Sequence, residues 1–446
     1  MKKAGRVGLV GVLSLVLFTA GGLGLWKATD SSPSQPVTTR GQQIDRLAGG
    51  PLIGAGSLGE AVASLQARLR VVPGDWRSFA SLGLAYVQQA RVTADPSYYP
   101  KAEGVLRRSL SLDRADNDVA LTGLGALSLA RHEFTDALTW GRQARAVNPY
   151  DDNVYGVMGD ALVELGRYRE AFATIQHMVD LKPDLGSYAR VSYARELQGD
   201  VPGAIAAMRM ALHAAGTAQD ASWASYQLGE LYWNTGRVQR AASAYHAALH
   251  YDDTFVPPLA GLAKVAWAAG DVDDAIARYR TVVARYPLPE HVIALGDLYA
   301  TTGRTALAQR QYALVRTEEQ LFRANGVNVD LELALFDADH GRPSDGLRAA
   351  REEWSRRHSV HVADALGWAL YRDGRASEAL PFARRALSVG MRNALFFFHA
   401  GMIERATGDT AAARRDLTEA VDINPHFSIL YAGVAGHVLA SLGGRS

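Results

Sequence analysis

Two histidines of this 446-residue chain are spaced as metal ligands often are. His246 and His250 lie four residues apart, so a helix would place both imidazoles on one face, and Asp252 and Asp253 follow them. A metal site needs a third ligand, and this helix face is expected to be solvated. We therefore favour a solvent-facing pair of histidines, with a metal site as the alternative interpretation.

A second cluster of possible ligands, Asp337, Asp339 and His340, precedes Gly341. Carboxylates near the C-terminus of a helix oppose the helix dipole, and we favour a local hydrogen-bonding role for them over a metal site. The chain has no cysteine, which excludes thiol nucleophiles, thiolate-ligated metals and disulfides. It also lacks a glycine-rich phosphate loop, a Gly-x-Ser-x-Gly elbow and a His-Glu-x-x-His pattern. We therefore expect no enzymatic activity, no cofactor and no resident metal.

Composition and charge narrow the class of protein further. The chain is 48% hydrophobic and 21% charged, which is typical of a globular protein. Its 47 basic and 46 acidic residues leave a formal net charge of +1, so a nucleic-acid partner is not expected. At roughly 150 residues per domain, the length alone predicts about three domains.

The N-terminal segment, residues 1–27, is predicted to be a signal peptide or a signal-anchor helix. Residues 7–26 carry no charge and could span about 30 Å of hydrocarbon as a helix, whereas the most apolar part, 9–18, also fits a signal peptide. No good small-x-small cleavage site follows, which favours the uncleaved anchor. Positive charges before the segment stay in the cytoplasm, so both interpretations place the remaining chain outside it. The protein is thus expected to be anchored to the cell membrane with an extracytoplasmic body, or secreted if the signal is cleaved.

Internal repeats organise the rest of the sequence. Small residues recur at spacings of 33 to 38 residues: Ala102, Ala137, Ala171, Ala204, Ala241, Ala275, Ala308, Gly346, Ala379 and Ala413. A second column of small residues precedes this one by 12 positions in nine of the repeats. Between the two columns lies a turn glycine, at Gly166, Gly199, Gly236, Gly270, Gly303, Gly341, Gly374 and Gly408. The columns predict a helix–turn–helix pair repeated about ten times, each pair needing its neighbours to bury its apolar face.

This pattern resembles the tetratricopeptide repeat family, most clearly in residues 154–183, 225–249 and 291–312. The resemblance implies an all-α, right-handed superhelical solenoid of about ten repeats. We place a flexible linker at 28–57, the solenoid at 58–426 and a C-terminal capping helix at 427–446. Irregular repeat spacing predicts a bend or break near 316–328.

The resemblance also implies which residues line a concave groove, because in this family the first helix of each pair forms the inner surface. The inner positions combine aromatic and acidic side chains, which is the composition of a recognition surface. The predicted partner-binding groove is Asp160, Glu164, Tyr193, Glu196, Trp223, Tyr226, Glu230, Trp233, Asn234, Lys264, Trp267, Asp297, Trp368 and Tyr371. For Trp233 and Trp267, packing between adjacent repeats is an equally weighted alternative.

These features together predict a non-enzymatic protein–protein interaction scaffold, tethered to the membrane through its N-terminal helix. Its partner is expected to be a protein or peptide segment of neutral to basic charge, because the groove is acidic. Two alternatives stay open. One is a metal-handling or enzymatic envelope protein that uses the histidine and aspartate clusters. The other is a cytoplasmic regulatory scaffold with the opposite membrane topology.

Overall fold

The computed structural model describes residues 55–443, and all regular secondary structure in that range is α-helical. Of its 22 helices, the first eleven are α1 (Ala55–Val71), α2 (Trp76–Thr93), α3 (Tyr98–Leu112), α4 (Asp118–Ala130), α5 (Phe134–Val147), α6 (Asp152–Glu164), α7 (Tyr168–Leu181), α8 (Leu185–Leu197), α9 (Val201–His213), α10 (Ala218–Asn234) and α11 (Val238–Tyr251). The others are α12 (Pro257–Ala268), α13 (Val272–Arg285), α14 (Pro289–Thr301), α15 (Thr305–Ala324), α16 (Asp330–His340), α17 (Pro343–Arg356), α18 (Val360–Arg372), α19 (Ala376–Ala386), α20 (Ala394–Ala406), α21 (Thr410–Ile423) and α22 (Ala432–Ser441).

Helices α2 to α21 form ten packed pairs, numbered here as repeats 1 to 10, with α1 before the first pair and α22 after the last. Each pair has a first helix A and a second helix B, and each B helix leads into the A helix of the next repeat. The predicted all-helical solenoid of about ten repeats is confirmed. The estimate of three globular domains is wrong, because length alone does not reveal a repeated unit.

The column of small residues marks where helix B meets its neighbours most closely. Ala137, Ala171 and Ala241 are completely buried. The one glycine of the column, Gly346, has even less room, because a Cβ there would lie 2.8 Å from the carbonyl oxygen of Ala334 on the paired helix. Any larger side chain would push the two helices of the pair apart, so this column determines how tightly each repeat closes.

The solenoid closes on itself, so that repeats 6 to 10 lie against repeats 1 to 5. The Tyr286 hydroxyl donates a hydrogen bond to the carbonyl of Arg91, 195 residues away, at 3.0 Å. The Val360 amide donates to the Tyr168 hydroxyl, 192 residues away, at 2.7 Å. Two further contacts follow the same register, Asn328 N–H to the Arg131 carbonyl at 3.1 Å and Asn424 Nδ2 to the Trp233 carbonyl at 2.9 Å.

These contacts form one continuous line, which we call the inter-turn seam. In repeat 4 the same line continues where Gly199 lies against the carbonyl of Gly390. On one side of the seam are the A–B turns of repeats 1 to 5, and on the other are the loops that follow helix B of repeats 6 to 10. Five repeats therefore complete one turn of the superhelix, and the next five stack on it. A pattern of local repeats cannot reveal this closure, because its partners are almost two hundred residues apart.

The junction between repeats 7 and 8 is the loosest of the junctions between repeats. Helix α15 is a single element of 20 residues, so the backbone does not break within residues 316–324. It nevertheless packs against α16 less closely than the other B helices pack against the A helix that follows them. Long side chains bridge the gap: Arg316 pairs with Asp337, and the rings of Tyr312 and His340 stack with centroids 4.3 Å apart.

The predicted segment bounds at the two ends of the chain can be compared with the structure only in part. The C-terminal helix begins at Ala432 and not at residue 427, because residues 424–431 form a series of turns. The predicted N-terminal helix at 1–27, and all of the linker at 28–57 except its last three residues, lie outside the described range. Within that range, none of the helices has both the length and the apolar character needed to cross a membrane.

Candidate functional site

The predicted groove residues lie on the first helices of repeats 3 to 7 and of repeat 9, and none of them is fully exposed. Seven of them are buried: Asp160, Glu164, Tyr193, Trp223, Trp233, Asp297 and Trp368. The other seven are half-buried: Glu196, Tyr226, Glu230, Asn234, Lys264, Trp267 and Tyr371. Trp223, Trp233 and Trp368 are therefore not available to a partner on this surface, since their exposed fractions are 3%, 6% and 2%. For Trp233 the packing alternative describes the structure.

Repeat 5 shows how the fold positions a groove carboxylate. Gly229 has no side chain, which lets the ring of Tyr245 lie directly against helix α10, where a Cβ would be 2.3 Å from the ring. The Tyr245 hydroxyl then donates to Glu230 at 2.7 Å. Lys264 of the next repeat reaches the same carboxylate, with its Nζ at 2.8 and 2.7 Å from the two oxygens. The negative charge of Glu230 is thus already compensated within the chain.

Repeat 7 repeats this arrangement with different residues. Gly296 leaves room for Tyr312, whose hydroxyl donates to Asp297 at 2.9 Å. The partner from the next repeat is now His340, with Nε2 3.1 Å from Asp297. The same structural unit therefore recurs in repeats 5 and 7. It consists of a glycine on helix A, the acidic residue that directly follows it and the tyrosine 16 positions after the glycine.

Two arginines that the sequence analysis missed pair with the acids of repeat 3. Arg190 donates two hydrogen bonds to Asp160, at 2.9 and 2.7 Å, and both side chains are buried. Arg357 comes from the second turn, pairs with both Glu164 and Glu353, and lies over the ring of Phe134 at 4.5 Å. Burial raises the pKa of Asp160 and Glu164, and the partner arginine in each case opposes that shift.

Arg190 is not among the predicted groove residues, although it lies three positions before Tyr193, which is one of them. No sequence signal connects Arg357 to Glu164, because their contact crosses the inter-turn seam. As a result, the acidity predicted for this stretch of the groove is largely neutralised from within the chain.

The segment 424–431 covers the aromatic residues at the C-terminal end of the inner surface. Tyr431 packs edge-on against Trp368, with ring centroids 5.4 Å apart, and its hydroxyl bonds to Asp339. Asp339 also accepts a hydrogen bond from the indole of Trp368 at 2.8 Å. His426 of the same segment meets the ring of Trp267 at 6.0 Å. The chain's own C-terminal segment therefore covers this aromatic surface.

Family comparisons agree with the repeat architecture. Two family models, both described as tetratricopeptide repeat, match residues 152–185 and residues 198–255, 260–315 and 365–427. The chain is a tetratricopeptide repeat protein. Comparison with curated protein sequences found no match.

Solved structures similar to this tetratricopeptide repeat protein are distant in sequence. The human IFIT1 dimer with PPP-AAAA is 16% identical, with a TM-score of 0.46 over 70% of this chain and 72% of that one. The Cut9–Hcn1 hetero-tetramer of APC/C is 14% identical, with a TM-score of 0.39 over 90% and 83%. The pilF protein of Pseudomonas aeruginosa is 18% identical, with a TM-score of 0.36 over 48% and 92%. These values are too low to carry an argument about function.

The histidine and aspartate clusters do not converge on one point. His246 and His250 are both exposed on α11. Asp337 pairs with Arg316, whereas Asp339 and His340 bond to other partners, Trp368 and Asp297. Within residues 55–443, no three His, Cys, Asp or Glu side chains are grouped as metal ligands.

Two interior glutamates of this tetratricopeptide repeat protein, Glu318 and Glu332, were not predicted. Glu318 lies in α15 and Glu332 in the first turn of α16, whereas Glu290 lies in the first turn of α14. Burial raises the pKa of Glu318 and of Glu332 to about 8, and the charge of Glu290 adds to both shifts. A charged residue within an amphipathic repeat is ordinarily assigned to the solvated face, so the sequence contained no signal for these positions.

Proposed function

We propose that this chain is a non-enzymatic scaffold whose N-terminal apolar segment tethers it to a membrane and whose helical body lies outside the cytoplasm. Tetratricopeptide repeats generally serve as protein–protein interaction scaffolds, which supports the scaffold part of this proposal. The uncharged run at 7–26 behind a basic N-terminus supports the tether and its orientation.

The proposed partner site is the accessible part of the inner surface in repeats 4 and 5. One observation carries this choice: Glu196 and Tyr226 stay half-buried while many of their neighbours are buried. Glu196 has no cation bonded to it and accepts a hydrogen bond from Asn234 at 3.4 Å, and burial raises its pKa to about 7. A partner segment of neutral to basic charge fits this surface, because a cation beside Glu196 would favour the ionised carboxylate.

Site-specific crosslinking tests the proposed site. A photo-reactive amino acid is placed at Tyr226 on the inner surface or, as a matched control, at Tyr150, which is 82% exposed. We expect a defined crosslinked partner from position 226 and no such product from position 150. The same product from both positions, or a product from position 150 alone, would show that the partner binds elsewhere.

Topology is tested separately, because it distinguishes the proposed location from a cytoplasmic scaffold. Alkaline phosphatase fused after Ser446 is active only when it is exported. We expect activity from the fusion, and an inactive fusion that accumulates at full length would support the cytoplasmic alternative. The mass of the mature chain then shows whether the N-terminal segment is cleaved.

A further inference from the structure

A cavity of about 280 Å³ lies between helix α19 of repeat 9 and the two helices of repeat 10, α20 and α21. Its apolar wall is formed by Ala383, Leu387, Ala400 and Ala412. No residue of the predicted groove lines this cavity, so it is separate from the partner site proposed on the inner surface. Cavities that hold whole small molecules range from about 300 to 1,000 Å³. This cavity therefore has the size for the end of one long side chain or a molecule of that size.

Two buried carboxyl groups meet at this cavity, one from each helix of repeat 10. Glu404 on α20 and Asp416 on α21 both line it, and they are 6% and 3% exposed. Arg415, which also lines the cavity, reaches both of them. Its Nε donates a hydrogen bond to Asp416 Oδ1 at 2.8 Å, and its Nη2 lies 3.7 Å from Glu404 Oε1. Because one guanidinium group lies within 4 Å of both carboxylates, the two acids converge on the same point.

Arg415 satisfies Glu404 only in part. A separation of 3.7 Å is too long for a hydrogen bond, and Glu404 Oε2 is buried and accepts none. The buried Asp160 of the inner surface differs, since it accepts two hydrogen bonds from Arg190 at 2.9 and 2.7 Å. A buried carboxylate oxygen without a hydrogen bond is rare in native proteins. Here the residue that carries it lines a cavity large enough to admit a donor.

The ionisation of Glu404 also shows that Arg415 compensates its charge poorly. Burial and the neighbouring charge of Asp416 raise the pKa of Glu404 to about 7, although Arg415 opposes this shift. Burial acts on Glu353 in the same direction, yet its bonds to two arginines outweigh burial and lower its pKa. A well-placed guanidinium group can thus hold a buried glutamate ionised in this protein, and Glu404 does not have one.

The remaining charges at the cavity leave an excess of negative charge. Its lining includes three acidic residues and two arginines: Glu404, Asp409, Asp416, Arg384 and Arg415. The Arg415 side chain is 68% exposed, so it covers the two buried acids from the solvent side. A ligand can therefore displace Arg415 without opening the apolar core of the repeat.

We propose that this cavity binds the guanidinium group of a ligand, which displaces Arg415 and bonds to Glu404 and Asp416. A guanidinium group presents its N–H donors in a planar fork that matches carboxylates, and the apolar wall fits the alkyl chain behind it. A metal ion fits less well, because among the described residues 55–443 no three His, Cys, Asp or Glu side chains are grouped as metal ligands.

The guanidinium group has two sources with the same chemistry, a free alkylguanidine or an arginine side chain of another polypeptide. Either source fits the cavity, because both consist of a planar cation on an apolar chain. The site goes beyond the scaffold role, since a free alkylguanidine would fill it without any protein partner.

Methyl NMR on the full-length protein tests the proposal, because Leu387 lines the cavity and its methyl signals report on a ligand there. The two probes are butylguanidine and the peptide acetyl-Gly-Arg-Gly-amide. Glu404→Gln keeps the size of the side chain and removes its charge. It should weaken binding by about tenfold or more, the usual effect of losing a hydrogen bond to a charged group. Arg415→Ala removes the cation that the ligand must displace and should strengthen binding severalfold.

Two exposed residues near the cavity supply matched controls. Glu378→Gln changes an exposed glutamate of α19, and Arg414→Ala changes the exposed arginine next to Arg415. Neither residue lines the cavity, so both variants should keep the wild-type affinity. Partial unfolding would weaken binding in any variant. Tighter binding in Arg415→Ala therefore cannot result from unfolding, and this variant keeps the test decisive if Glu404→Gln is unstable.

Each outcome has a definite meaning. A shift of the Leu387 signals with butylguanidine alone identifies a free alkylguanidine as the source, whereas a shift with the peptide alone identifies an arginine side chain. Shifts with both probes support the site for either source. No shift with either probe, equal affinity in wild type and Glu404→Gln, or weaker binding in Arg415→Ala overturns the proposal. None of these results depends on whether position 226 crosslinks to a partner protein.

Discussion

Asp160 and Arg190 show at the residue scale how charge is accommodated inside this solenoid. Their relative exposures are 5% and 3%, and two hydrogen bonds join them. Isolated charges in such a place would be costly, since each has lost most of its hydration. The pair also explains why a carboxylate on the inner surface is not automatically available to a partner. Availability depends on whether a cation from the next repeat or the next turn already bonds to it.

Removing one member of this pair should destabilise the protein strongly. Arg190→Ala leaves Asp160 buried without its cation, and we expect a loss of about 3–5 kcal/mol in the free energy of unfolding. Arg167→Ala is the control, because its pair with Glu170 is solvent-exposed and should contribute much less to stability than the buried pair. Urea denaturation followed by circular dichroism measures both. Equal losses would contradict the importance of burial for this pair.

Glu318 makes the stability of the protein depend on pH. Burial raises the pKa of this carboxyl from its ordinary value of 4.5 to about 8 in the folded chain, so between these pH values the folded state binds more protons than the unfolded state. The free energy of unfolding should therefore fall as the pH rises from 5 to 8. Glu332 shifts in the same direction and contributes with the same sign.

Glu318→Gln should flatten this decline, because the amide stays neutral at every pH, whereas the exposed control Glu352→Gln should keep the wild-type slope. Melting temperatures measured from pH 5 to pH 8 compare the three proteins. A wild-type slope in Glu318→Gln would show that this carboxyl is not the group that titrates.

At the scale of the elements, the A–B turns use one residue type for two purposes. Glycine occupies the left-handed conformation at Gly166 and at Gly374, with φ of 73° and 80°. At Gly374 nothing lies within 4 Å of where a Cβ would be. At Gly166 the Cβ would be 2.4 Å from the carbonyl oxygen of His358, across the inter-turn seam. The same turn is therefore a simple helix terminus in one repeat and a contact between turns in another.

Alanine substitutions separate these two purposes. Gly374→Ala should cost only about 1–2 kcal/mol, the penalty for a left-handed alanine. Gly166→Ala pays the same penalty and must also push the loop at His358 away. Hydrogen exchange at the Val360 amide, which bonds to the Tyr168 hydroxyl beside this contact, reports on that displacement. Faster exchange is expected in Gly166→Ala alone, and unchanged exchange there would contradict the contact.

At the scale of the whole molecule, the inter-turn seam determines how much of the inner surface is accessible. Gly166, Gly199 and Gly236 all lie against backbone of the second turn, at His358, Gly390 and residues 423–424. These approaches hold the two turns together with the help of Arg357 and Tyr286. An open stack of the same ten repeats would expose the groove that the closed molecule covers.

Opening the seam should enlarge the molecule. We expect a triple alanine variant of Gly166, Gly199 and Gly236 to have a larger radius of gyration by small-angle X-ray scattering. The control replaces Gly270, Gly303 and Gly374, which have the same left-handed backbone but no neighbour within 4 Å, and should stay compact. A compact seam variant with native helix content would show that the turns are held together by other contacts.

The sequence by itself determined the repeat, because small residues at fixed spacing are a local requirement of each helix pair. It predicted ten pairs and the buried column from Ala102 to Ala413. It could not predict which inner residues stay accessible, since Arg357 reaches Glu164 and residues 424–431 cover Trp368 from distant parts of the chain. Only the tertiary structure decided this, because small rotations between successive repeats add up over five repeats to one closed turn. The total rotation that closes the turn cannot be recognised from the sequence of one repeat.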